Sequence, residues 1–492
     1  MPAVSPLLFL IALPVVAAAF VAAGSPARQT ALGAAILNAI AFLYLLASYN
    51  LGEGGYQFVS SMPVLPALGI AFTLGADGFA LAMLGLSVVV TVAAIAVART
   101  PARMPAAYYA SLLLISAGAI GAFASIDTFF FYMFHELALV PTFLLIGIWG
   151  SGDRQAAAWK ITIYLALGSF ILLLGLIGLY LSAPAGMRSF DMREMTTAAG
   201  LGVLAPNDLV FLLLFFGFGI LVSLFPFHTW APQAYASAPA PAAMLHAGIL
   251  KKFGLYGLLR LVAPIFPEYV AERWSWLLLS LVIGNILYVG FATISQKKLD
   301  LMLGYSSVMH MGYAFLGILA WNTLGFHGAA FTLVAHGLTI AALFALAGEL
   351  RERTGTLDFS ELGGLARKIP AFGLLFGFAA MAAVGLPGFA GFAAELMVFF
   401  GGFSAVPASG TGWNFYQITT AIAVWGVVIS AVYMLRAYRK IFLGERPERW
   451  SDLAEIGFVP RVAVTGLLLL LLAFGFWPPL LLQYLAPALT VP

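Results

Sequence analysis

Long apolar runs alternate with short polar stretches from one end of the chain to the other. The runs lie near 4–23, 31–49, 79–98, 106–124, 127–149, 158–181, 209–234, 240–263, 274–294, 302–321, 326–349, 371–401, 414–436 and 461–482. Each matches the length, about 20 residues, that a helix needs to cross bilayer hydrocarbon. The pattern predicts an all-α polytopic membrane protein with about fourteen transmembrane helices. The longest connections, 50–78, 182–208 and 350–370, are too short for a soluble domain. Met1–Ala23 lacks a basic leading segment and is expected to stay as the first span.

Two of the longest runs are interrupted at depth. The seventh carries Gly217, Gly219 and Pro226 ahead of His228, and the twelfth carries Gly385, Pro387, Gly388 and Gly391. Proline removes a backbone donor and frees a carbonyl one turn earlier, and bare backbone at membrane depth survives only against protein or a water-lined cavity. Paired interrupted spans mark transporters built from inverted repeats, although Pro and Gly also kink membrane helices without further purpose. Faint self-similarity accompanies them: Glu136 and His310, Lys160 and His336, and Leu259-Arg260 and Leu435-Arg436 recur at near-equal offsets. A duplicated five-helix unit is expected, with segments 1–105, 106–263 (helices 4–8), 274–436 (helices 9–13) and a basic, amphipathic 437–492 carrying the last helix.

Composition narrows the class. The chain is 62% hydrophobic and 9% charged, with a mean hydropathy of +1.01; an ordinary soluble protein is excluded, and no stretch accommodates a nucleotide- or cofactor-binding domain. Without cysteine there is no disulfide, thiolate metal site or iron–sulfur cluster. Placing the N-terminus outside puts seventeen of the 23 Lys and Arg residues on inward loops and four outside, with Lys251 and Lys252 inside the eighth span. This positive-inside bias predicts both termini on the outer, periplasmic side of the plasma membrane. The net charge of +3 therefore reports orientation, and no nucleic-acid partner is expected.

Three charges stand out deep within spans, Glu136, Lys252 and Glu395, with Lys251 beside the second of them. An ionised side chain in hydrocarbon costs roughly 3 kcal/mol on insertion scales and marks an ion or proton path by default. Glu136, among aromatic residues, is a protonatable relay or a neutral structural acid. Lys252 is placed to exchange a proton, while Lys251 points about 100° away and snorkels or pairs elsewhere. Glu395, just past the break at Pro387, is a terminal relay or a cap on the following half-helix. His310 and His336 lie inside the tenth and eleventh spans as relays or satisfied hydrogen-bonders. His228 is expected to organise the seventh-span break, and Lys160 is a relay or a surface anchor. No histidine spacing suits a metal, and none is expected.

Several motifs together resemble the antiporter-like membrane subunits of respiratory complex I. They are Phe129-Phe-Phe-Tyr-Met-Phe-His-Glu136 with Pro141; Phe225-Pro-Phe-His228-Thr-Trp230-Ala-Pro232; Gly248-Ile-Leu-Lys-Lys252; Tyr305-Ser-Ser-Val-Met-His310; Ala335-His336-Gly337; Leu386-Pro-Gly388 with Glu395; and Gly75-Ala-Asp77-Gly78. Their order and spacing run from about residue 70 to 450, and glutamate at 395 is similar to the M-type (mitochondrial subunit 4-like) branch. The resemblance implies fourteen helices with two inverted five-helix repeats, and a proton-translocating module of an NADH:quinone oxidoreductase. It implies a relay of Glu136, Lys160, Lys252, His310, His336 and Glu395, with L-type and N-type neighbours in the lipid bilayer. NADH, FMN, iron–sulfur clusters and quinone are then expected only in partner subunits. One departure stands out. The family's lysine seven residues before the helix-seven histidine is Leu221 here, the following acid is Gln233, and the next histidine is Tyr235. His135 and His246, which match no family position, are candidate substitutes. A multisubunit cation/proton antiporter, an energy-converting hydrogenase-type complex and a non-pumping spacer remain rival expectations.

Overall fold

The computed structural model describes residues 5–204, 206–266, 268–405 and 412–489; position 4, where the first predicted span begins, lies outside them. Helices α1 (Pro6–Ala22) and α2 (Ala27–Ser48) lead into an antiparallel hairpin of β1 (Gln57–Leu65) and β2 (Ile70–Ala76). Continuous apolar helices α3 (Gly78–Val97), α4 (Pro105–Ala124), α5 (Thr128–Trp149) and α6 (Arg154–Leu181) follow, then the short α7 (Met192–Gly200). The seventh predicted span is two pieces, α8 (Asp208–Val222) and α9 (Trp230–Ser237). The eighth is α10 (Ala240–Leu245), α11 (Lys252–Gly257) and α12 (Ala263–Ile265), joined by π turns at His246–Leu250 and Leu258–Val262. A further π turn, Gly284–Tyr288, joins α13 (Glu268–Ile283) to α14 (Val289–Ser295). Next come α15 (Leu299–Leu319), α16 (Thr323–Thr354), the split pair α17 (Pro370–Val384) and α18 (Ala390–Ser404), then α19 (Phe415–Phe442), α20 (Phe458–Phe476) and α21 (Pro479–Ala488). Among the described residues, ten helices are long and apolar enough to cross a membrane, and α1, α8, α17 and α18 are shorter apolar ones.

The structure differs from the hydropathy pattern in two places. The 50–78 connection contains the hairpin, where Ser61 pairs with Thr73 through hydroxyls 2.8 Å apart; its β-branched and aromatic residues Val59, Val64, Ile70, Phe72 and Thr73 suit strands. The last apolar run, expected as one span over 461–482, is divided at Pro478-Pro479 into α20 and α21, since consecutive prolines cannot continue a helix.

Both deep interruptions end their first half-helix in the same way. Ser223 (φ 71°) closes α8 and Gly385 (φ 76°) closes α17, each in left-handed backbone. The next amide then bonds back five residues, Leu224 N–H to Gly219 O at 2.8 Å and Leu386 N–H to Met381 O at 3.1 Å. Backbone freed at the breaks is taken up by protein. The Phe225 amide donates to Asn285 Oδ1, Trp230 Nε1–H to Ile220 O at 3.2 Å, and His310 Nε2 meets Ala383 O at 3.0 Å.

Helix α16 runs through the middle of the bundle, its apolar window wholly buried, and it packs on α15, α18, α20, α3 and α10. At one end of the molecule, Asp77 caps α3 by accepting from the Ala80 amide at 2.9 Å and forms a buried ion pair with Arg260. The guanidinium faces the rings of Phe79, Tyr256 and Tyr56 at 5.0, 5.1 and 5.5 Å. Removing one partner of such a pair costs about 3–5 kcal/mol, because the other stays buried and uncompensated. Asp77→Ala should therefore sharply lower the melting temperature of the purified complex, and Asp77→Asn combined with Arg260→Met should recover most of it. A double variant no more stable than the single one would argue against this account.

Candidate functional site

The eighth span and α16 meet through two glycines. A methyl at Gly337 would lie 2.7 Å from Gly248 O, and one at Gly248 would lie 3.2 Å from Gly337 O, so the two backbones touch. Only glycine permits that approach. It brings Lys252, fully buried, to within 2.9 Å of His336 Nδ1, and the same ammonium group donates to Ala247 O. An amine and an imidazole nitrogen at that distance share one proton position.

From His336 the array continues inward. The His310 ring lies 5.8 Å from that of His336, centroid to centroid. Its Nδ1 faces Ser306 O at 2.8 Å and its Nε2 faces Ala383 O at 3.0 Å. A neutral ring carries one N–H and serves one of these carbonyls, whereas an imidazolium serves both. His310, His336, Thr332, Tyr313 and Glu395 line a cavity of about 30 Å³, larger than the roughly 10–15 Å³ that one water needs on the same measure. Glu395 is buried, with its carboxyl packed against Gly385 so closely that a methyl there would sit 2.5 Å from Oε2. The break thus holds the acid in place through the absence of a side chain. Glu395 is not a helix cap, since α18 begins beside Phe389, without a side-chain cap bond, and Glu395 lies more than a turn inside.

A second group lies on the other side of the lysine pair. Lys251 is as enclosed as Lys252, so the snorkelling expectation fails; its Nζ lies 3.3 Å from Ser307 Oγ and 5.7 Å from the centre of the Tyr235 ring. The π turn is the reason. Lys251 N–H bonds to His246 O at 3.0 Å, one residue further back than in an α-helix, and both lysines consequently point into the bundle. Periodicity at 3.6 residues per turn misses this displacement.

Glu136 is placed differently from the expectation of a wholly interior acid. Its side chain is 30% exposed, on a face of α5 that also exposes Met133, Leu137 and Val140. Oε1 lies 3.5 Å from His135 Nδ1, with Ser169 and Tyr132 beside the carboxyl. His135 in turn stacks on Phe253, 4.1 Å between centroids. Leu221 is buried in α8 against Gly168 of α6, the residue before Ser169, and supplies only apolar surface there. His135 is the basic group nearest the acid, as the substitute reading expected. Lys160 stands apart from the array, donating to Gln233 Oε1 at 3.0 Å near the start of α6. His228 packs among Phe225, Tyr288 and Tyr305 at the first break. Among the described residues, no group of three or more His, Asp or Glu is placed to hold a metal ion.

Split helices flanking a buried lysine–histidine–carboxylate array, inside a bundle of membrane-length helices, define an antiporter-like membrane subunit. Comparison with known proteins gives the family. The model described as "NADH:quinone oxidoreductase/Mrp antiporter, TM" matches residues 125–423, and the chain belongs to this family. The NADH-quinone oxidoreductase subunit M of Rickettsia prowazekii is 32% identical over 448 residues, 90% of this chain and 88% of that protein. The NAD(P)H-quinone oxidoreductase chain 4 1 of Synechococcus elongatus is 38% identical over 442 residues, 88% and 80% of the respective chains. A chain of respiratory complex I from Thermus thermophilus superposes with a TM-score of 0.87 at 29% identity, covering 98% of both chains. The fold is also that of a chain in the Mrp complex of a Dietzia species, with a TM-score of 0.85 at 23% identity over 99% and 97% of the two chains. The M-type assignment made from Glu395 and the neighbouring motifs agrees with these relatives.

The glycine contact generates a test. Gly337→Ala should force the two helices apart at an overpacking cost of about 1–3 kcal/mol, lowering thermal stability and lengthening the Lys252–His336 contact. Gly33→Ala, where an added methyl meets nothing within 4 Å, should leave stability unchanged or slightly raised. Equal stability of the two variants would count against the close-packed contact.

Proposed function

We propose that this chain is the proton-translocating M-type subunit of an NADH-quinone oxidoreductase, in which quinone reduction in partner subunits drives proton transfer through this one. The observation that carries the reading is the buried array of Lys252 in contact with His336, with His336, His310 and Glu395 lining a water-sized cavity. Lys252 passes a proton to His336, His310 accepts it and holds it between two carbonyls, and water in the cavity links it to Glu395. Membrane-arm neighbours cover the partly exposed Glu136 face, and L-type and N-type subunits are the partners of that kind. The chain lies in the plasma membrane with both termini on the periplasmic side, arranged as two inverted five-helix units around the two breaks. NADH, FMN, iron–sulfur clusters and quinone are assigned to partner subunits. The apolar Leu221, buried against Gly168 where the resemblance implies a lysine, favours a second reading, a spacer that completes the membrane arm without pumping.

The intact complex reconstituted into liposomes separates the two. With a dye that follows protons and a second that follows NADH oxidation, Lys252→Met and Glu395→Gln should each lower the protons moved per electron pair. Loss of an acid–base group of this kind slows its transfer step by about 10²-fold or more. An unchanged ratio in both variants would establish the spacer. Glu136→Gln that keeps the full ratio would remove that residue from the relay, and Leu221→Lys should raise the ratio if the apolar substitution weakens the path.

A further inference from the structure

A large vestibule lies at the end of the bundle where the arginine-rich connections gather. It has a volume of about 390 Å³, and its wall includes Arg99, Asp300, Glu349, Arg351 and Glu352, with Tyr235 also on its lining. The charges on the rim alternate in sign. Arg99 lies 3.6 Å from Glu349 and 3.5 Å from Glu352, and Arg351 pairs with Asp300, which keeps the mouth polar and wet.

Tyr235 is almost wholly buried, yet it reaches from this vestibule to the lysine pair. Its hydroxyl is 3.2 Å from His246 Nδ1, and its ring lies beneath the Lys251 ammonium group. His246 is enclosed by Trp230 and Tyr235, and its Nε2 has no protein partner. A buried ring nitrogen without a partner is costly unless water reaches it. Besides Tyr235, the titratable groups that influence His246 are His135, Lys251 and Lys252. No carboxylate lies within 4 Å of Lys251 among the described residues; a hydroxyl and a ring face are its contacts.

Resting on the pumping reading above, we propose that the vestibule feeds protons into the lysine pair through Tyr235 and His246, with Lys251 as the receiving carrier. The Tyr235 oxygen takes a proton from vestibule water as its own hydroxyl proton passes to His246 Nδ1. His246 releases the proton on its other nitrogen, by way of water, to the neutral amine of Lys251. Ammonium groups on consecutive residues repel one another, so charge arriving on Lys251 drives the proton of Lys252 onto His336. Each step moves one proton; Tyr235 is left as it began, while His246 is left as its Nδ1–H tautomer and returns to the Nε2–H form by tautomer exchange through water before the next transfer. The route occupies positions, Tyr235, His246 and Lys251, that the relay of Lys252, His336, His310 and Glu395 does not use.

The test uses the intact complex in liposomes, with native gels to verify assembly. Tyr235→Phe keeps the ring and its packing but removes the hydroxyl; it should slow coupled proton transport about tenfold or more. Tyr235→His, which restores a protonatable nitrogen, should retain most of it. A purely structural tyrosine predicts the reverse order, and that result would overturn the proposal. Lys251→Met and Lys251→Arg should both slow transport, because arginine keeps the charge but does not release its proton. Full activity in Lys251→Arg would reduce Lys251 to a fixed charge and also overturn it. Lys252→Met distinguishes the layers: if it abolishes pumping while the Tyr235 and Lys251 variants pump normally, this entry route alone fails. If Lys252→Met also pumps normally, the relay itself fails.

Discussion

Hydrocarbon offers no hydrogen-bond partner to a bare amide, a carbonyl or a charge, and every irregular feature of this molecule answers to that constraint. The two split helices would leave backbone groups stranded at depth, and the protein supplies them from inside: Asn285, itself in a π turn, serves the first break, and His310 the carbonyl end of the second. The ion pair of Asp77 and Arg260 closes on itself within an aromatic enclosure. The histidine that relieves the second broken helix is also the one that lines the cavity with His336 and Glu395.

The buried lysines and histidines of the central array meet carbonyls and hydroxyls more than opposite charges. Lys252 donates to Ala247 O and meets an imidazole; Lys251 meets a serine hydroxyl; His310 lies between two carbonyls. Carboxylates in that environment would trap a cation, whereas neutral acceptors hold it loosely. The single acid of the central array, Glu395, touches the water-sized cavity.

Much of this was legible in the residues. Hydropathy located the spans because lipid exposure demands unbroken apolar stretches, and the Pro226 and Pro387 interruptions were visible because proline cannot be paired in a helix interior. Lys252, His336, His310 and Glu395 followed from motif spacing, and the structure brings these four together. Other features depend on information that spacing does not carry. The π turn at His246–Leu250 changes the phase of one helix, so Lys251 turns inward despite its adjacency to Lys252. The partial exposure of Glu136 depends on what packs beside α5, and the hairpin over Gln57–Ala76 falls in a connection where hydropathy is silent. The pair of Asp77 and Arg260 joins two residues 183 positions apart, each unremarkable alone.

The meeting of Gly248 and Gly337 carries a consequence for how such a module evolves. The length of the first hop, from amine to imidazole, is fixed by two atoms that are not there. Neither glycine titrates, donates or accepts through a side chain, and a survey of ionisable groups would pass over both. Yet a single added carbon at either position lengthens one gap while every titratable group stays in its own helix. Constraint on the geometry of buried charges therefore reaches well beyond the residues that carry them, into the smallest side chains of the helices that hold them.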